Sequence, residues 1–243
     1  MKIHLFVPCL TDQYAAATAH ATVRLLERLG HEVIFDSRQT CCGQAPFNAG
    51  FHREARRLAR RFIRLFHNAE IVVAPGGSCI SMVTRHYAEL ALDRDCQADW
   101  ENLRERVWEL CSFLVDHLNI TDVGAHFPHR VTYHASCHLL RELEILKQPL
   151  KLLRGVNGLQ LVEGGWGDEC CGFGGAFSVK YPELSRRIAD RRAGRLASGG
   201  AEYITGADDS CLNNLDGAFR RIGAPQQTVH IARILASENG VRA

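Results

Sequence analysis

The stretch Cys41-Cys42-Gly43-Gln44-Ala45-Pro46-Phe47 has a counterpart later in the chain, Cys170-Cys171-Gly172-Phe173-Gly174-Gly175-Ala176. Four single cysteines flank the two pairs at similar distances: Cys9 and Cys79, then Cys137 and Cys211. The four equivalent positions are separated by 128, 129, 129 and 132 residues, so the match shows little drift. The sequence therefore predicts an internal duplication with one cysteine quartet in each copy.

The segments between the cysteines repeat as well. Apolar runs typical of strands cover residues 2–7, 32–35 and 71–74, and again 131–134, 159–162 and 201–205. Helical periodicity covers residues 14–29 and 52–67, and again 138–153 and 182–198. An alternation of strands and helices predicts a parallel sheet with helices packed on it. We therefore predict an α/β protein of two tandem αβα units with parallel sheets, related by approximate twofold symmetry.

We place the first unit at residues 1–124 and the second at residues 125–243, joined by the segment 119–130, which contains Gly124 and Pro128. Each quartet cysteine follows a predicted strand, and the carboxyl ends of parallel strands meet at one edge of the sheet. Cysteines more than 30 residues apart are thus expected to converge. Cys96 and Cys111 lie near or within a predicted helix at residues 99–118, and we interpret them as packing residues.

Composition excludes several classes of protein. Apolar residues make up 46% of the 243 residues and charged residues 23%, which predicts a folded chain with a substantial core. The net charge of +2 does not favour nucleic-acid binding. No apolar run approaches the roughly 20 residues that cross a bilayer, and the first run is too short for a signal peptide. We expect a cytoplasmic protein without direct membrane insertion, associated with a membrane only through partners.

The ten cysteines favour a metal site over disulfides, because patterned cysteines in a reducing compartment are usually ligands or catalytic groups. Adjacent cysteines have Cα atoms ~3.8 Å apart, too close for an ordinary disulfide. Four thiolates suit zinc or an iron–sulfur cluster, but this chain lacks the short ligand spacing typical of zinc sites. We predict cluster ligation by Cys9, Cys41, Cys42, Cys79, Cys137, Cys170, Cys171 and Cys211. A zinc-binding or thiol-redox scaffold is the alternative.

Glycines beside these cysteines are predicted to contribute to cofactor binding. Gly43, Gly172 and Gly174 follow the cysteine pairs, and Gly77 precedes Cys79. Because glycine has no side chain, backbone N–H groups can approach sulfur closely, and such hydrogen bonds tune a cluster. Ordinary turn formation would place glycines at the same positions.

Four blocks carry a family resemblance: the two stretches quoted first, His134-Ala135-Ser136-Cys137-His138, and Pro75-Gly76-Gly77-Ser78-Cys79. They resemble the duplicated CCG (cysteine-rich) domain proteins, in particular the lactate utilisation protein A family. The iron–sulfur component of glycolate oxidase and the cysteine-rich component of heterodisulfide reductase are more distant relatives. The resemblance covers nearly the whole chain.

This resemblance implies an iron–sulfur electron-transfer subunit of a complex that oxidises L-lactate to pyruvate. Its implied partners are two other lactate-utilisation subunits, an iron–sulfur ferredoxin-like protein and a third protein. In heterodisulfide reductase the CCG unit holds a four-iron cluster through five cysteines, the last two in a Cys-x-x-Cys. Only Cys79 and Cys211 stand at that end here. This difference leaves open an ordinary four-cysteine cluster, expected as [4Fe-4S] with one or two per chain, or a partly filled site.

Two other features have alternative interpretations. His138 and His134 flank Cys137 and are the candidate catalytic residues, to move a proton or bind a carboxylate, unless they only make structural hydrogen bonds. The helix after each cysteine pair is rich in arginine, with Arg57 and Arg61 on the first. Such a face is either simply solvated or a docking surface for an acidic partner.

Overall fold

The computed structural model, which describes residues 1–163 and 168–238, contains two parallel four-stranded sheets. The first consists of β1 (Lys2–Leu5), β2 (Glu32–Phe35), β3 (Ile71–Ala74) and β4 (Val107–Glu109), in the order β2-β1-β3-β4. The second consists of β5 (Arg130–Tyr133), β6 (Gln160–Leu161), β7 (Tyr203–Gly206) and β8 (Gln227–His230), in the order β6-β5-β7-β8. The shared order confirms the α/β fold of two tandem αβα units.

Helices cover the faces of both sheets. The first half contains α1 (Cys9–Tyr14), α2 (Ala16–Arg28), α3 (Gln44–Asn48), α4 (His52–Phe66), α5 (Gly77–Thr84), a 3₁₀ helix (His86–Leu90), α6 (Arg94–Arg104), α7 (Leu110–Ser112) and a π-helix (Phe113–His117). The second contains a π-helix (His138–Glu142), α8 (Lys147–Arg154), α9 (Ala176–Lys180), α10 (Pro182–Ser198), α11 (Asp209–Ile222) and α12 (Ile231–Leu235). No helix within the described ranges is long and apolar enough to cross a bilayer.

The helix α4 shows how the sequence directs this packing. Its buried residues recur at spacings of three or four: Ala55, Ala59, Phe62, Ile63 and Phe66. This spacing forms an apolar stripe that packs on the sheet, while Arg57 and Arg61 remain exposed on the other side. The equivalent helix of the second half, α10, buries Ala189, Ala193 and Leu196 in the same manner.

One apolar cluster is shared by the two halves, and each half also has a cluster of its own. Residues of β1, β3 and α2 lie in the same cluster as residues of β5, α8 and α12. The α7 segment that follows β4 contacts α8, and α12, which follows β8, contacts α2 in return. Arg28 of α2 also donates a hydrogen bond to the carbonyl oxygen of Leu235, at 2.6 Å. This reciprocal exchange of helices fixes the two sheets against one another, as an approximate twofold relation requires.

The structure corrects several predicted elements. The predicted helix at residues 99–118 is interrupted by β4, because Val107 and Glu109 are buried and pair with β3. A fourth strand, β8, completes the second sheet in the same way. The predicted helix 14–29 is present as α2, preceded by the short helix α1 that was not predicted, whereas the predicted helix 138–153 is divided by Glu144, whose φ is +56°. A non-glycine residue in that conformation ends regular helix.

Candidate metal centre

All eight quartet cysteines line a single cavity of about 320 Å³ at the carboxyl ends of the strands of both sheets. Cys9 begins α1, Cys79 lies in the first turn of α5 and Cys211 in the first turn of α11. The N-terminal end of a helix carries partial positive charge, which stabilises a thiolate. The cysteine pairs lie in the loops that precede α3 and α9. The structure thus brings together residues that lie as far apart in the chain as Cys9 and Cys211.

The sulfurs within each quartet are in direct contact. Cys42 Sγ lies 3.2 Å from Cys79 Sγ in the first quartet, and Cys171 Sγ lies 2.8 Å from Cys211 Sγ in the second. These four thiols are buried, whereas the other four are partly exposed towards the cavity. Each quartet therefore has a dry side and a side that faces the cavity.

One cysteine of each quartet is the preferred thiolate. Hydrogen bonds from the thiols of Cys42 and Cys9 lower the pKa of Cys41 to about 3. Hydrogen bonds from Cys137 and Cys171 lower the pKa of Cys170 to about 2. The same contacts raise the pKa of each donating thiol, because deprotonation would place two negative charges side by side. A bound cation would relieve this repulsion and allow all four sulfurs to ionise.

Two of the four predicted glycines place an N–H group on sulfur. Gly43 N lies 3.3 Å from Cys41 Sγ, and Gly172 N lies 3.2 Å from Cys170 Sγ. Their φ angles are +93° and +83°, a conformation that favours glycine. Gly174 lines the cavity. Gly77 does not line it: a Cβ there would lie 1.6 Å from Cδ1 of Leu139, so its role is close packing between the halves.

The two candidate histidines occupy different environments. His138 lines the cavity, with Nδ1 3.7 Å from Cys137 Sγ and Nε2 3.1 Å from Nε2 of Gln44. His134 is 1% exposed, lies outside the residues that line the cavity, and accepts a hydrogen bond at Nδ1 from Arg192 Nε at 3.3 Å. Burial, followed by the charge of Arg192, lowers the pKa of His134 to about 3, so its ring is neutral. Of the two, only His138 is placed where a molecule in the cavity would touch it.

Two aspartates that sequence reasoning missed connect the halves beside the sulfurs. Asp208 accepts hydrogen bonds from the backbone N–H and the hydroxyl of Ser78, at 3.0 and 2.8 Å. Asp209 accepts from the hydroxyls of Thr11 and Thr18, at 2.8 and 3.0 Å. Their position just before Cys211 was the available signal, but the partners lie in the other copy. These bonds hold each quartet in a fixed position relative to the other.

Cys96 and Cys111 lie outside this cavity. Cys111 is fully buried in the core shared by the two halves, and Cys96 packs partly buried beside the core of the first half.

The donor set fits an iron–sulfur cluster on three observations. Four sulfurs converge in each copy, backbone N–H groups point at two of them, and the surrounding helices start at the site. In the second quartet a ring nitrogen of His134 also lies within 4.8 Å of the sulfurs of Cys171 and Cys211. Thiolate sulfur with imidazole nitrogen is also a donor set for zinc, so metal analysis must separate the two.

Comparison with known proteins finds one family model twice in the chain. A family model described as cysteine-rich domain (CCG) matches residues 3–84 and again residues 131–216. The first range contains β1 in part with β2 and β3, the second contains β5 in part with β6 and β7, and together they contain all eight quartet cysteines. The family match therefore follows the internal duplication.

Individual relatives match over nearly the full length. Lactate utilization protein A of Geobacillus kaustophilus (strain HTA426) is 42% identical over 239 residues, covering 98% of this chain and 100% of that protein. Lactate utilization protein A of Exiguobacterium sp. (strain ATCC BAA-1283 / AT1b) is 44% identical over 240 residues, covering 96% of each. Among solved structures, a putative Asp/Glu racemase from Yersinia pestis covers 97% of this chain and is covered over 96% of its own length, at 13% identity and a TM-score of 0.37.

Proposed function

The chain belongs to the cysteine-rich domain (CCG) family and to the family of lactate utilization protein A, and on that premise we propose that it is an iron–sulfur subunit that transfers electrons during the oxidation of L-lactate to pyruvate. The observation that carries this proposal is the convergence of eight cysteine sulfurs on one cavity. A bound [4Fe-4S] cluster supplies reversible one-electron reduction. We assign one cluster to each quartet, and thus one to each of the units 1–124 and 125–243.

The chain's own residues supply the environment for this chemistry. The eight cysteines provide the thiolates, Gly43 and Gly172 provide N–H donors, and the helices α5 and α11 provide positive ends beside negative charge. The buried sulfurs of Cys42 and Cys171 are shielded from water, which protects one side of each site. His138 is the residue best placed to exchange a proton with a molecule in the cavity.

Lactate oxidation removes two electrons, so the proposal includes partners. We propose that the chain acts with two other lactate-utilisation subunits, an iron–sulfur ferredoxin-like protein and a third protein, in the cytoplasm. Association with a membrane would occur only through those partners. The amino-acid sequence contains no full Gly-x-Gly-x-x-Gly loop for a nicotinamide or flavin cofactor, which is consistent with substrate chemistry shared with a partner.

Metal analysis of anaerobically prepared protein tests the cofactor. We expect iron and acid-labile sulfide in equal amounts, with a broad visible absorbance that dithionite bleaches. Stoichiometric zinc without sulfide, even after anaerobic reconstitution with iron and sulfide, would instead support the alternative of a zinc-binding or thiol-redox scaffold.

A reconstitution assay tests the role in lactate oxidation. We expect no lactate-dependent dye reduction by the isolated, cluster-loaded chain, and measurable reduction after addition of the two partner subunits. The control is the same mixture prepared without this chain. Robust lactate oxidation by the isolated chain would move the active site into this protein and contradict the subunit model.

A further inference from the structure

His134 has a structural counterpart in the first half of the molecule. Its backbone N–H donates to the carbonyl oxygen of Thr205 at 2.7 Å, and the backbone N–H of Phe6 donates to that of Val73 at 2.9 Å. Each residue directly follows the central strand of its sheet and precedes the first quartet cysteine by three positions. Phe6 and His134 are therefore equivalent positions with different side chains.

Arg192, the hydrogen-bond donor to His134, also has an apolar counterpart in the first half. Gly172 packs against the carbonyl oxygen of Ser185, as Gly43 packs against that of Ala55, which aligns α10 with α4. Seven residues further along these helices, the equivalent positions are Arg192 and Phe62. In the first half the rings of Phe6 and Phe62 are in edge contact, with centroids 5.0 Å apart. In the second half that apolar pair is replaced by a hydrogen-bonded imidazole and guanidinium.

The contact between Arg192 and His134 determines which ring nitrogen carries the hydrogen. A guanidinium has only donors, so the N–H of Arg192 Nε requires Nδ1 of His134 as an acceptor. A neutral imidazole with an accepting Nδ1 carries its hydrogen on Nε2. Nε2 of His134 is buried and has no hydrogen-bond partner among the described residues. A buried donor without a partner is costly, and its position predicts an acceptor.

Two sulfurs of the second quartet lie beside the ring of His134. A ring nitrogen of His134 and the sulfurs of Cys171 and Cys211 all lie within 4.8 Å of one another, and all three residues are buried. The aromatic pair of the first half provides no equivalent donor at this position, because Phe6 and Phe62 offer only carbon. The two quartets therefore have the same ligands but different surroundings.

We propose that His134 donates a hydrogen bond from Nε2 to sulfur of the cluster held by the second quartet, and that Arg192 fixes the ring for this purpose. The proposal rests on the proposed iron–sulfur function and adds a difference between its two sites. Hydrogen bonds to cluster sulfur stabilise the extra negative charge of the reduced state, whereas the charge of Arg192 is offset by its ion pair with Glu169 at 3.3 Å. A cluster held by the second quartet would therefore be easier to reduce than one held by the first. In this arrangement His134 touches the cofactor and not the substrate, and Arg192, which acts through His134, is the positioning residue.

A potentiometric titration of the cluster-loaded chain, followed by electron paramagnetic resonance, tests this inference. We expect two reduction waves, of which the one at higher potential disappears in Cys171→Ser. The double variant with His134→Phe and Arg192→Phe reproduces the pair found in the first half. It should lower the reduction potential of that wave alone. The expected shift is ~59 mV, which corresponds to a tenfold smaller equilibrium constant for one-electron reduction.

Two further variants control for packing. His134→Gln retains one acceptor for Arg192 and one N–H donor, so it should keep most of the higher potential. Phe6→Leu changes the equivalent position of the first half without altering polarity, and should leave the wave at higher potential unchanged. An unchanged potential in the double variant, or equal shifts of both waves, would contradict the proposal.

Pulsed electron paramagnetic resonance of the unaltered protein makes the test independent of whether the variants fold. With ¹⁵N-labelled histidine, we expect a weak nitrogen coupling and an exchangeable proton near the reduced second cluster, both retained in His138→Gln, which removes the other imidazole beside this quartet. A strong coupling, as for direct nitrogen coordination, or none at all would overturn the hydrogen-bond assignment while leaving the proposed function intact. A chain that loads no iron would contradict both proposals.

Discussion

The two quartets have the same cysteines at nearly the same spacing, but their surroundings differ in polarity. Behind the first quartet lies the aromatic pair Phe6 and Phe62, and behind the second lies the pair His134 and Arg192, which carries the positive charge of the guanidinium. The duplication thus preserved the sulfur donors and changed the groups that surround them. In a protein with two metal sites, such differences set how readily each site accepts an electron.

The contacts between the halves also differ in polarity at equivalent positions. Gly77 approaches Leu139 so closely that no Cβ would fit, whereas its counterpart Asp209 accepts a hydrogen bond from Thr11, the counterpart of Leu139. One contact of the pseudo-symmetric pair is apolar packing, and the other is a hydrogen bond. The second half supplies the carboxylates that orient the first, so the halves are not interchangeable.

This comparison also bears on the number of cysteines. Gly76, three residues before Cys79, has no room for a side chain, because a Cβ would lie 2.8 Å from Cγ of Pro8. The carboxylate of the equivalent residue, Asp208, is engaged by the hydroxyls of Ser78 and Ser136. Neither position holds a cysteine, and Met82 and Asn214, three residues after Cys79 and Cys211, supply no thiolate either. The site therefore fits four cysteines in each half.

Removal of single sulfurs gives the largest expected effect. Cys42→Ser and Cys171→Ser should each abolish one cluster, with loss of about half of the bound iron and sulfide, because a ligand position becomes vacant. Iron and sulfide analysis after anaerobic purification measures this. Each variant should lose only the electron paramagnetic resonance signal of its own half.

Two cysteines outside the cavity provide the matched control. Cys96→Ala and Cys111→Ala should retain the full iron content, and Cys111→Ala should lower only stability, since its thiol is buried in the shared core. Equal iron loss in both classes of variant would show that the division of the ten cysteines is wrong.

The sequence could predict the duplication, because the cysteine spacing matches between the copies, and the convergence of each quartet, because each cysteine follows a strand of its own copy. It could not predict that the two quartets face the same cavity, since that depends on the exchange of α7 and α12 between the halves. The link between His134 and Arg192 joins residues 58 positions apart, and no local pattern marks it. β4 was missed because a strand of three residues, flanked by helical segments, does not produce a clear strand period.

A second expected effect concerns pH and Glu109, the last residue of β4. Glu109 is fully buried and caps α7 by accepting from the N–H groups of Cys111 and Ser112, whereas its counterpart His230 caps α12. Burial raises the pKa of Glu109 from 4.5 to about 7. A folded-state pKa above the unfolded value means that stability falls as pH rises from about 4.5 to 7.

Glu109→Gln should remove this dependence while keeping an oxygen for the cap. In anaerobic urea unfolding, the variant should gain stability relative to the unaltered protein as pH rises, reaching about 3 kcal/mol above pH 7. The exposed change Glu105→Gln is the control and should show no such trend. If the difference in unfolding free energy between Glu109→Gln and the unaltered protein does not vary between pH 4.5 and 8, Glu109 does not ionise as a buried carboxyl group.

A smaller effect is expected at the close approach between the halves. Gly77→Ala should lower the free energy of unfolding by about 1–3 kcal/mol, because Leu139 must move. Gly194→Ala is the control: it lies within α10 with open space around it, and should raise the stability by about 0.5–1 kcal/mol. Urea unfolding measures both. A neutral Gly77→Ala would mean that the contact between the halves adapts freely.

The smallest effect is expected from surface charge, where the two halves again offer a matched pair. Arg57 and Arg61 on α4 are equivalent to Arg187 and Arg191 on α10, and all four side chains are exposed. Arg61 also donates to the carbonyl oxygen of Arg38, in the segment that leads to Cys41, so a partner bound on α4 would lie near the first quartet.

If the first site receives the electrons, an acidic electron donor should dock on α4. Arg57→Glu with Arg61→Glu should then lower the rate of partner-dependent lactate oxidation by roughly threefold to tenfold at low ionic strength, and much less in high salt, where exposed charges are screened. Arg187→Glu with Arg191→Glu should have a smaller effect. Equal losses in the two variants would indicate attraction by net charge alone, and an unchanged rate in the α4 variant would show that this arginine face is only solvated.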